Sequence, residues 1–484
     1  MVLYGKCTKN LSRIGLKVRD EAMTGIIEKI VARAWNGVAG RKRRKQAYPE
    51  SSRVDFGLMI KDGAVSKFSF GLSQGTRAEH IAILGKTGSG KSYFLRHLAS
   101  QDIRSDHGFV YFDLHGDATA FLLSALAARE ERDGVSLTEK VIVINPADPE
   151  YSVGLNVLEA ASSREGFVQI AEFAQILKTR WHLDSFGART EELLRNALYV
   201  LRDNELTLLE LSLLLTNGTF RASCVRQVQN YEVGSYFNSR YDQASEAMQA
   251  VMRDAVLNKI SVFTADPHFR HIVGQKHSTI SLEEAIDRGC YVIVNLHKGK
   301  LGEQAATLGS LILSRLKNAL FSRKSRKTFA VYADEVQNLV AYDSGLDTLL
   351  SESRKFAISV VTANQFLDQY PAAMRSAILS VGTHVCFQLS SQDADKMAAN
   401  LAGSKTLADT LKNLPHQELI VKSGSRPAAH LRVPTVEIPR THYGDLYNRS
   451  RSRWARQRSE IEQEIRERQR DAADSESEVL DAWE

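Results

Sequence analysis

The stretch "HIAILGKTGSGKSYFLRHL", residues 80 to 98, constrains the fold more than any other part of the sequence. An apolar run breaks into a glycine-rich loop and resumes with helical spacing, and the loop matches the pattern G-x-x-x-x-G-K-[ST]. Glycines let successive backbone N–H groups turn inward around phosphate oxygens, and the helix that follows adds its positive N-terminal end. The sequence therefore predicts a phosphate-binding loop between a strand and a helix, formed by Gly85, Lys86, Thr87, Gly88, Ser89, Gly90, Lys91 and Ser92.

Two residues of this loop have the side chains that a nucleoside triphosphate requires. We expect Lys91 to reach the β- and γ-phosphates of ATP and the hydroxyl of Ser92 to bind Mg²⁺. A glycine loop with a purely structural role is the alternative, but this match lies where the motif must lie, between a strand pattern and a helix pattern. ATP and Mg²⁺ are therefore the predicted cofactors.

A site of this kind also needs acidic side chains at the end of a second strand. Asp113, in "VYFDLHGD", is one candidate, and the pair Asp334 and Glu335, in "FAVYADEVQNL", is the other. The pair fits better because the two acids can divide the work: Asp334 binds Mg²⁺ through water, and Glu335 acts as the base for the attacking water. A base beside the metal acid favours water over a kinase substrate as the nucleophile.

Two further motifs follow strands and have polar side chains. The run "AISVVTANQF" ends in Asn364 and Gln365, whose amides suit sensing of the γ-phosphate and positioning of water. The acids and the histidine of "FDLHGD" raise the alternative of a second metal site, but we favour a strand-end loop near the nucleotide. The residues of that motif are Asp113, His115 and Asp117.

Apolar β-branched runs alternate with helical patterns along much of the chain, which predicts an α/β fold with a parallel sheet covered on both faces. The runs are "HIAIL", "FVYFD", "KVIVIN", "CYVIVNL", "TFAVYAD", "AISVVTA" and "THVCFQL". We expect a P-loop NTPase domain in two parts, residues 54–160 and 289–440, separated by an all-α subdomain at 161–288 that stands off the sheet. A helical arm (1–53) precedes them, and a charged tail (441–484), either an exposed helix or disordered, follows.

Composition excludes several classes of protein. The 484 residues have a net charge of +6, and their four cysteines are far apart without a CxxC motif, so neither a disulfide framework nor a zinc ribbon is expected. No apolar run is long enough to predict a membrane-spanning segment, which makes the cytoplasm the expected location. Basic runs at residues 41–45 and 449–458 are either solvated surface patches or contacts with nucleic acid.

These motifs, in the same order over about residues 54 to 435, resemble the HerA/FtsK superfamily of hexameric DNA motors. Within it, the chain is most similar to the conjugative coupling ATPases of the TraG/TraD type. The resemblance implies a homo-hexameric ring that moves DNA without reading its sequence. It also implies roles for individual residues: Lys91 and Ser92 in Walker A, Asp334 and Glu335 in Walker B, Gln365 as sensor, and Arg354 acting on a neighbouring subunit's nucleotide.

Two departures from the family pattern affect the expected pathway. Transmembrane helices like those that open membrane-bound coupling proteins are not found, and the β-barrel that opens HerA is also missing. We therefore expect a soluble relative that acts in plasmid transfer, DNA processing or defence, with a nuclease or another effector as a candidate protein partner.

Two other functions remain open on the sequence. An ATPase switch that remodels a protein partner, with DNA incidental, is the main alternative, and a nucleotide-binding scaffold with little turnover is disfavoured by Glu335. Lys298 and Lys300, in "NLHKGKLG", follow an apolar strand, and they are either contacts with the DNA backbone or solvated loop lysines.

Overall fold

The computed structural model describes residues 53–159, 163–181, 187–339, 345–401 and 403–474. Almost all of the predicted N-terminal arm, including the basic run at 41–45, lies outside these residues.

The described chain is built on an eleven-stranded mixed sheet in the order β2-β1-β12-β11-β10-β3-β9-β8-β4-β7-β5. The strands are β1 Val54–Lys61, β2 Ala64–Leu72, β3 Ile81–Leu84, β4 Phe109–Asp113, β5 Val141–Ile144, β7 Tyr291–Asn295, β8 Phe329–Ala333, β9 Ile358–Asn364, β10 Thr383–Cys386, β11 Glu418–Ser423 and β12 Ala429–Arg432. Two short strands, β6 Tyr151–Ser152 and β13 Arg456–Gln457, form a separate ribbon.

The strands from β10 to β5 pair in parallel, and each of them corresponds to one of the predicted apolar runs. They read as continuous apolar runs because both faces of the sheet are covered. Ile81 and Ile83 of β3 belong to the apolar core on one face, whereas Ala82 belongs to the core on the other face. The α/β class is confirmed. The antiparallel strands β11, β12, β1 and β2 extend the sheet beyond β10.

Helices of the NTPase part connect and cover the strands. They are α1 Gln74–Arg77, α2 Lys91–Arg104, α3 Asp117–Asp133, α12 Lys298–Leu301, α13 Gln304–Ser322, α14 Leu346–Glu352, α15 Ala372–Leu379, α16 Ser391–Asn400 and α17 Lys405–Lys412. Single 3₁₀ turns lie at Val336–Asn338, Ser353–Phe356 and Leu367–Gln369.

The described residues between 163 and 287 contain helices and no strand. The helices are α4 Ser163–Trp181, α5 Ala188–Asp203, α6 Leu211–Thr216, α7 Gly218–Arg226, α8 Tyr231–Tyr236, α9 Glu246–Thr264, α10 Pro267–Val273 and α11 Leu282–Asp287, with a 3₁₀ turn at Leu208–Glu210 and a π-turn at Phe237–Tyr241. Their buried residues, such as Leu193 and Leu198, form one continuous cluster with Val110 and Phe112 of the sheet. The described helical part is therefore joined to the sheet by a continuous apolar core.

The described segment at residues 444–474 is helical, which was one of the two expectations for the tail, but it packs against the rest of the protein instead of being fully exposed. Helix α18 Gly444–Trp454 lies beside the edge strand β5, and the Ser450 hydroxyl donates a hydrogen bond to the Val141 carbonyl (2.8 Å). Helix α19 Arg458–Asp474 buries Ile461 and Ile465 against Leu209. The local composition is charged, but Ile461 and Ile465, at positions i and i+4, give the helix one apolar face, and that face is buried.

The arginines of the second basic run make polar contacts within the chain. Arg449, Arg451 and Arg453 of α18 pair with Glu130, Glu150 and Glu139, respectively. Further along, Arg456 pairs with Glu464, and Arg458 donates to the Pro146 carbonyl. These contacts favour a structural role for the run over a contact with nucleic acid.

Candidate active site

The carboxyl ends of four neighbouring parallel strands meet at one edge of the sheet. In the order β3-β9-β8-β4, these ends lead into the predicted phosphate loop, Gln365, the acidic pair and the "FDLHGD" motif. The crevice outside the carboxyl ends of the strands is where open α/β sheets bind their ligands. Motifs that are far apart in the sequence are thus brought together by the sheet order.

The phosphate loop has the conformation that its glycines permit. Gly88 and Gly90 adopt positive φ angles of 77° and 115°, which residues with a Cβ rarely adopt. A Cβ on Gly85 would lie 2.6 Å from the Cβ of Phe387 and 2.7 Å from the hydroxyl of Ser89, so only glycine fits there. Gly90 precedes α2 without a side-chain cap, which leaves the N–H groups of the first turn available to an anion.

Lys91 lies inside this loop. Its ammonium donates hydrogen bonds to the carbonyls of Gly85 (2.6 Å) and Lys86 (2.9 Å), and the side chain is almost fully buried. Burial lowers the pKa of Lys91, and the carboxylates of Asp334 and Glu335 oppose that shift. The loop therefore holds its cation directly opposite the acidic pair.

Asp334 directly follows β8 and is also buried. Burial raises the pKa of its carboxyl above the usual range, while a hydrogen bond from Ser92 and the charge of Lys91 act in the opposite direction. A hydroxyl and a carboxylate in contact are hard oxygen donors of the kind that Mg²⁺ takes. Ser92 and Asp334 therefore fit the metal that the sequence predicts.

Glu335 is held in an unusual backbone conformation. Its φ and ψ angles of 50° and 48° are left-handed, a region that non-glycine residues adopt at a cost and mostly at functional sites. Its Oε1 atom accepts a hydrogen bond from Gln365 (3.2 Å) and lies 3.3 Å from Nε2 of His115. Its Oε2 atom accepts one from Asn338 (3.3 Å). The carboxylate is thus fixed from several directions beside the phosphate loop.

Gln365 connects the two halves of the site. Besides donating to Glu335, its side-chain carbonyl accepts a hydrogen bond from the Thr87 hydroxyl in the phosphate loop (3.0 Å). Asn364 behaves differently: it is buried, and its amide donates to the carbonyl of Phe366 (3.1 Å). Of the two predicted amides, Gln365 faces the site and Asn364 shapes the loop behind it.

Asp113, the other acidic candidate, caps a helix. Its two oxygens accept hydrogen bonds from the backbone of His115 and Gly116 and from both the backbone and the hydroxyl of Thr119 (2.7 to 3.2 Å). These bonds occupy the carboxylate, which favours Asp334 over Asp113 as the acid near the nucleotide. In the described ranges, no group of three His, Cys, Asp or Glu side chains could hold a further metal.

The sequence did not predict the contacts that join these motifs. The Thr87–Gln365 hydrogen bond and the approach of His115 to Glu335 cannot be recognised from a local sequence pattern, since the partners are more than 200 residues apart. Both contacts form because neighbouring strands of the sheet end beside one another.

Arg354 lies far from the phosphate loop of its own subunit. It belongs to the 3₁₀ turn before β9, at the amino edge of the parallel strands, and pairs with Glu79 (2.5 Å) while its side chain stays 68% exposed. The length of β9, about 20 Å at 3.3 Å per residue, separates that turn from Gln365.

The two lysines predicted to contact DNA lie elsewhere. Lys298 and Lys300 are exposed on the short helix α12, directly after β7.

Known proteins match both the sequence and the fold. The profile of the type IV secretion-system coupling protein DNA-binding domain matches residues 67–425. The unbound coupling protein TrwBdeltaN70 superposes with a TM-score of 0.57 at 18% identity, covering 84% of this chain and 94% of that one. TrwB in complex with ADP and Mg²⁺ gives 0.56 at 17% identity (80% and 97% covered), and VirB4 of Thermoanaerobacter pseudethanolicus gives 0.50 at 14% (80% and 97% covered). No curated protein sequence matches the chain.

The fold and the family together define a P-loop ATPase of the HerA/FtsK-like class, as the sequence motifs predicted. The chain belongs to the family of type IV secretion-system coupling protein DNA-binding domains. In the part of the chain that the structure describes, no helix is both long and apolar enough to cross a membrane.

Proposed function

We propose that this protein is an ATP-driven motor that translocates DNA as a homo-hexameric ring, and that it works in the cytoplasm. The observation that carries the proposal is the contact of Glu335 with Gln365, which in turn contacts Thr87 of the phosphate loop. With this arrangement, Glu335 would act as a base beside the bound phosphates, and its position would be coupled to the loop. Family membership supports DNA as the substrate that is moved.

The nucleotide would be held by the backbone of residues 85–92 and by Lys91. Ser92 and Asp334 would hold Mg²⁺, which neutralises charge on the β- and γ-phosphates when bound. TrwB, whose fold this chain shares, binds ADP and Mg²⁺. The ammonium of Lys91 donates hydrogen bonds to two loop carbonyls, and we expect it to exchange these bonds for bonds to phosphate oxygens when ATP binds.

Hydrolysis requires a water molecule aligned with the γ-phosphate. Glu335 takes a proton from this water as it attacks, and the amide of Gln365 orients it. Lys91 stabilises the negative charge that develops on the phosphate oxygens. The left-handed conformation of Glu335 is consistent with a carboxylate whose direction matters more than local stability.

Assembly would complete the site. Arg354 is exposed at the edge of the sheet opposite the phosphate loop, so it cannot serve its own subunit's nucleotide but is accessible to a neighbour's. A cation supplied from the next subunit to the γ-phosphate would make hydrolysis depend on the ring. Release of Arg354 from Glu79 would accompany that contact.

Turnover and nucleotide binding, measured on matched variants, test the proposal. Glu335→Gln should keep ATP affinity but lower kcat by about 100-fold or more, since a base of this type is worth 10²–10⁴ in rate. Glu131→Gln, on the exposed face of α3, is the control and should match the wild type. Normal turnover of Glu335→Gln would overturn the assignment of the base. An active ATPase that no DNA stimulates would favour a switch that remodels a protein partner, such as a nuclease.

A further inference from the structure

One side chain in the site has no role in the mechanism above. His115 lies in the loop between β4 and α3, and its Nε2 atom is 3.3 Å from Oε1 of Glu335. The imidazole is 53% exposed, so burial does not explain its position. The acidic partner is the proposed base itself.

The loop around His115 is held by hydrogen bonds and by close packing. The carboxylate of Asp113 accepts hydrogen bonds from the backbone N–H groups of His115 (3.2 Å) and Gly116 (2.8 Å). Gly116 has a φ of 87°, and a Cβ there would lie 2.7 Å from the ring of His297, so the loop packs closely on the segment after β7. The backbone therefore fixes where the exposed imidazole can reach.

The two side chains that approach Oε1 of Glu335 come from opposite sides. In the sheet order β9-β8-β4, Gln365 follows the strand on one side of β8 and His115 follows the strand on the other. A carboxylate that has a hydrogen-bond donor on one side only can rotate away from that donor. Donors on both sides restrict the carboxylate to a single orientation.

We propose that His115 is a positioning residue for Glu335: its Nε2–H donates to Oε1 and keeps the carboxylate directed at the attacking water. The inference rests on the proposed function, because it assigns Glu335 as the base. His115 itself neither binds the nucleotide nor exchanges a proton with the reacting atoms. Its loss should therefore affect the rate of hydrolysis and not the affinity for ATP.

Steady-state kinetics and equilibrium ATP binding on His115 variants test this role. His115→Ala should lower kcat about tenfold or more, as expected for a hydrogen bond to a charged group, while the Kd for ATP changes by less than about threefold. His115→Gln keeps a side-chain N–H donor and should restore most of the rate. The control is His277→Ala, since His277 is a similarly exposed histidine (73%) whose Nδ1 lies 3.6 Å from a carboxylate oxygen of Glu159.

The double variant separates this role from its alternatives. Adding His115→Ala to Glu335→Gln should cause no further loss, because a residue that acts through Glu335 has nothing left to position. A further loss in the double variant, a matching loss of ATP affinity, or failure of His115→Gln to restore the rate would overturn the inference. If Glu335→Gln itself turns over normally, the proposed function fails first; if only His115→Ala is normal, this inference alone fails.

Discussion

At the residue scale, the buried ammonium of Lys91 is the site's main source of positive charge. Lys91→Ala should abolish ATP hydrolysis, since the phosphate charge would lose the cation that the loop provides for it. We expect turnover below about a tenth of the wild-type rate, the equivalent of at least 1.4 kcal/mol of transition-state stabilisation. Lys405→Ala, on the exposed surface of α17, serves as the control. A Lys91→Ala protein with near-normal turnover would show that hydrolysis occurs elsewhere.

Arg354 provides the second test at this scale, because its proposed partner is on another subunit. Arg354→Ala and Glu335→Gln should each be inactive alone but regain part of the activity when mixed. In a mixed ring, some interfaces combine an intact Glu335 with an intact Arg354 from the neighbouring subunit. A mixture of Lys91→Ala and Glu335→Gln is the control, since neither of these residues is supplied by a neighbour. If both mixtures stay inactive, Arg354 does not act in trans.

At the element scale, helix α19 should contribute to stability. Ile465 is fully buried against Leu209, and Ile465→Ala should lower the free energy of unfolding by about 2–5 kcal/mol. Arg466→Ala, on the exposed face of the same helix, should change it by no more than about 0.5 kcal/mol. Thermal unfolding of the two variants distinguishes them. Equal midpoints would mean that α19 is not packed in solution.

We expect helix α12, but not helix α18, to contact DNA. The lysines of α12 are exposed, whereas the arginines of α18 are ion-paired within the chain. Replacing Lys298 and Lys300 with Ala should lower the salt dependence of DNA binding by up to about two units per subunit, about one for each lost phosphate contact. Replacing Arg449 and Arg453 with Ala should leave it unchanged. The reverse result would assign the DNA contact to α18.

A helix, strand or loop can be predicted from the sequence when the pattern that specifies it lies within a few neighbouring residues. The parallel strands and the phosphate loop were predicted because buried apolar runs and the spacing of Gly85 and Gly90 are visible over a few residues. The packing of the C-terminal segment was missed, because its partners are distant: Glu130, the partner of Arg449, is more than 300 residues away in sequence. The helix-capping role of Asp113 was missed for another reason, since its partners are close by: an acidic residue at the end of a strand suits a helix cap and a metal site equally well.

At the scale of the whole molecule, nucleotide hydrolysis must be linked to movement along a polymer. The sheet places Gln365 at one end of β9 and the turn that carries Arg354 at the other, so one strand connects a subunit's own site to the edge proposed to contact its neighbour. This geometry suits a ring in which subunits hydrolyse ATP in turn. Such a ring would not select among DNA sequences, because the contacts proposed for Lys298 and Lys300 are with phosphates and not with bases.

The rate of ATP hydrolysis, measured as a function of DNA length at constant total nucleotide concentration, tests whether the protein moves along DNA. A motor that moves along DNA spends a smaller fraction of its time rebinding as the DNA becomes longer. For a DNA motor we therefore expect that DNA stimulates the wild-type ATPase, that the rate rises with DNA length, and that unrelated sequences give the same curve. Wild-type hydrolysis that no DNA of any length stimulates would contradict it.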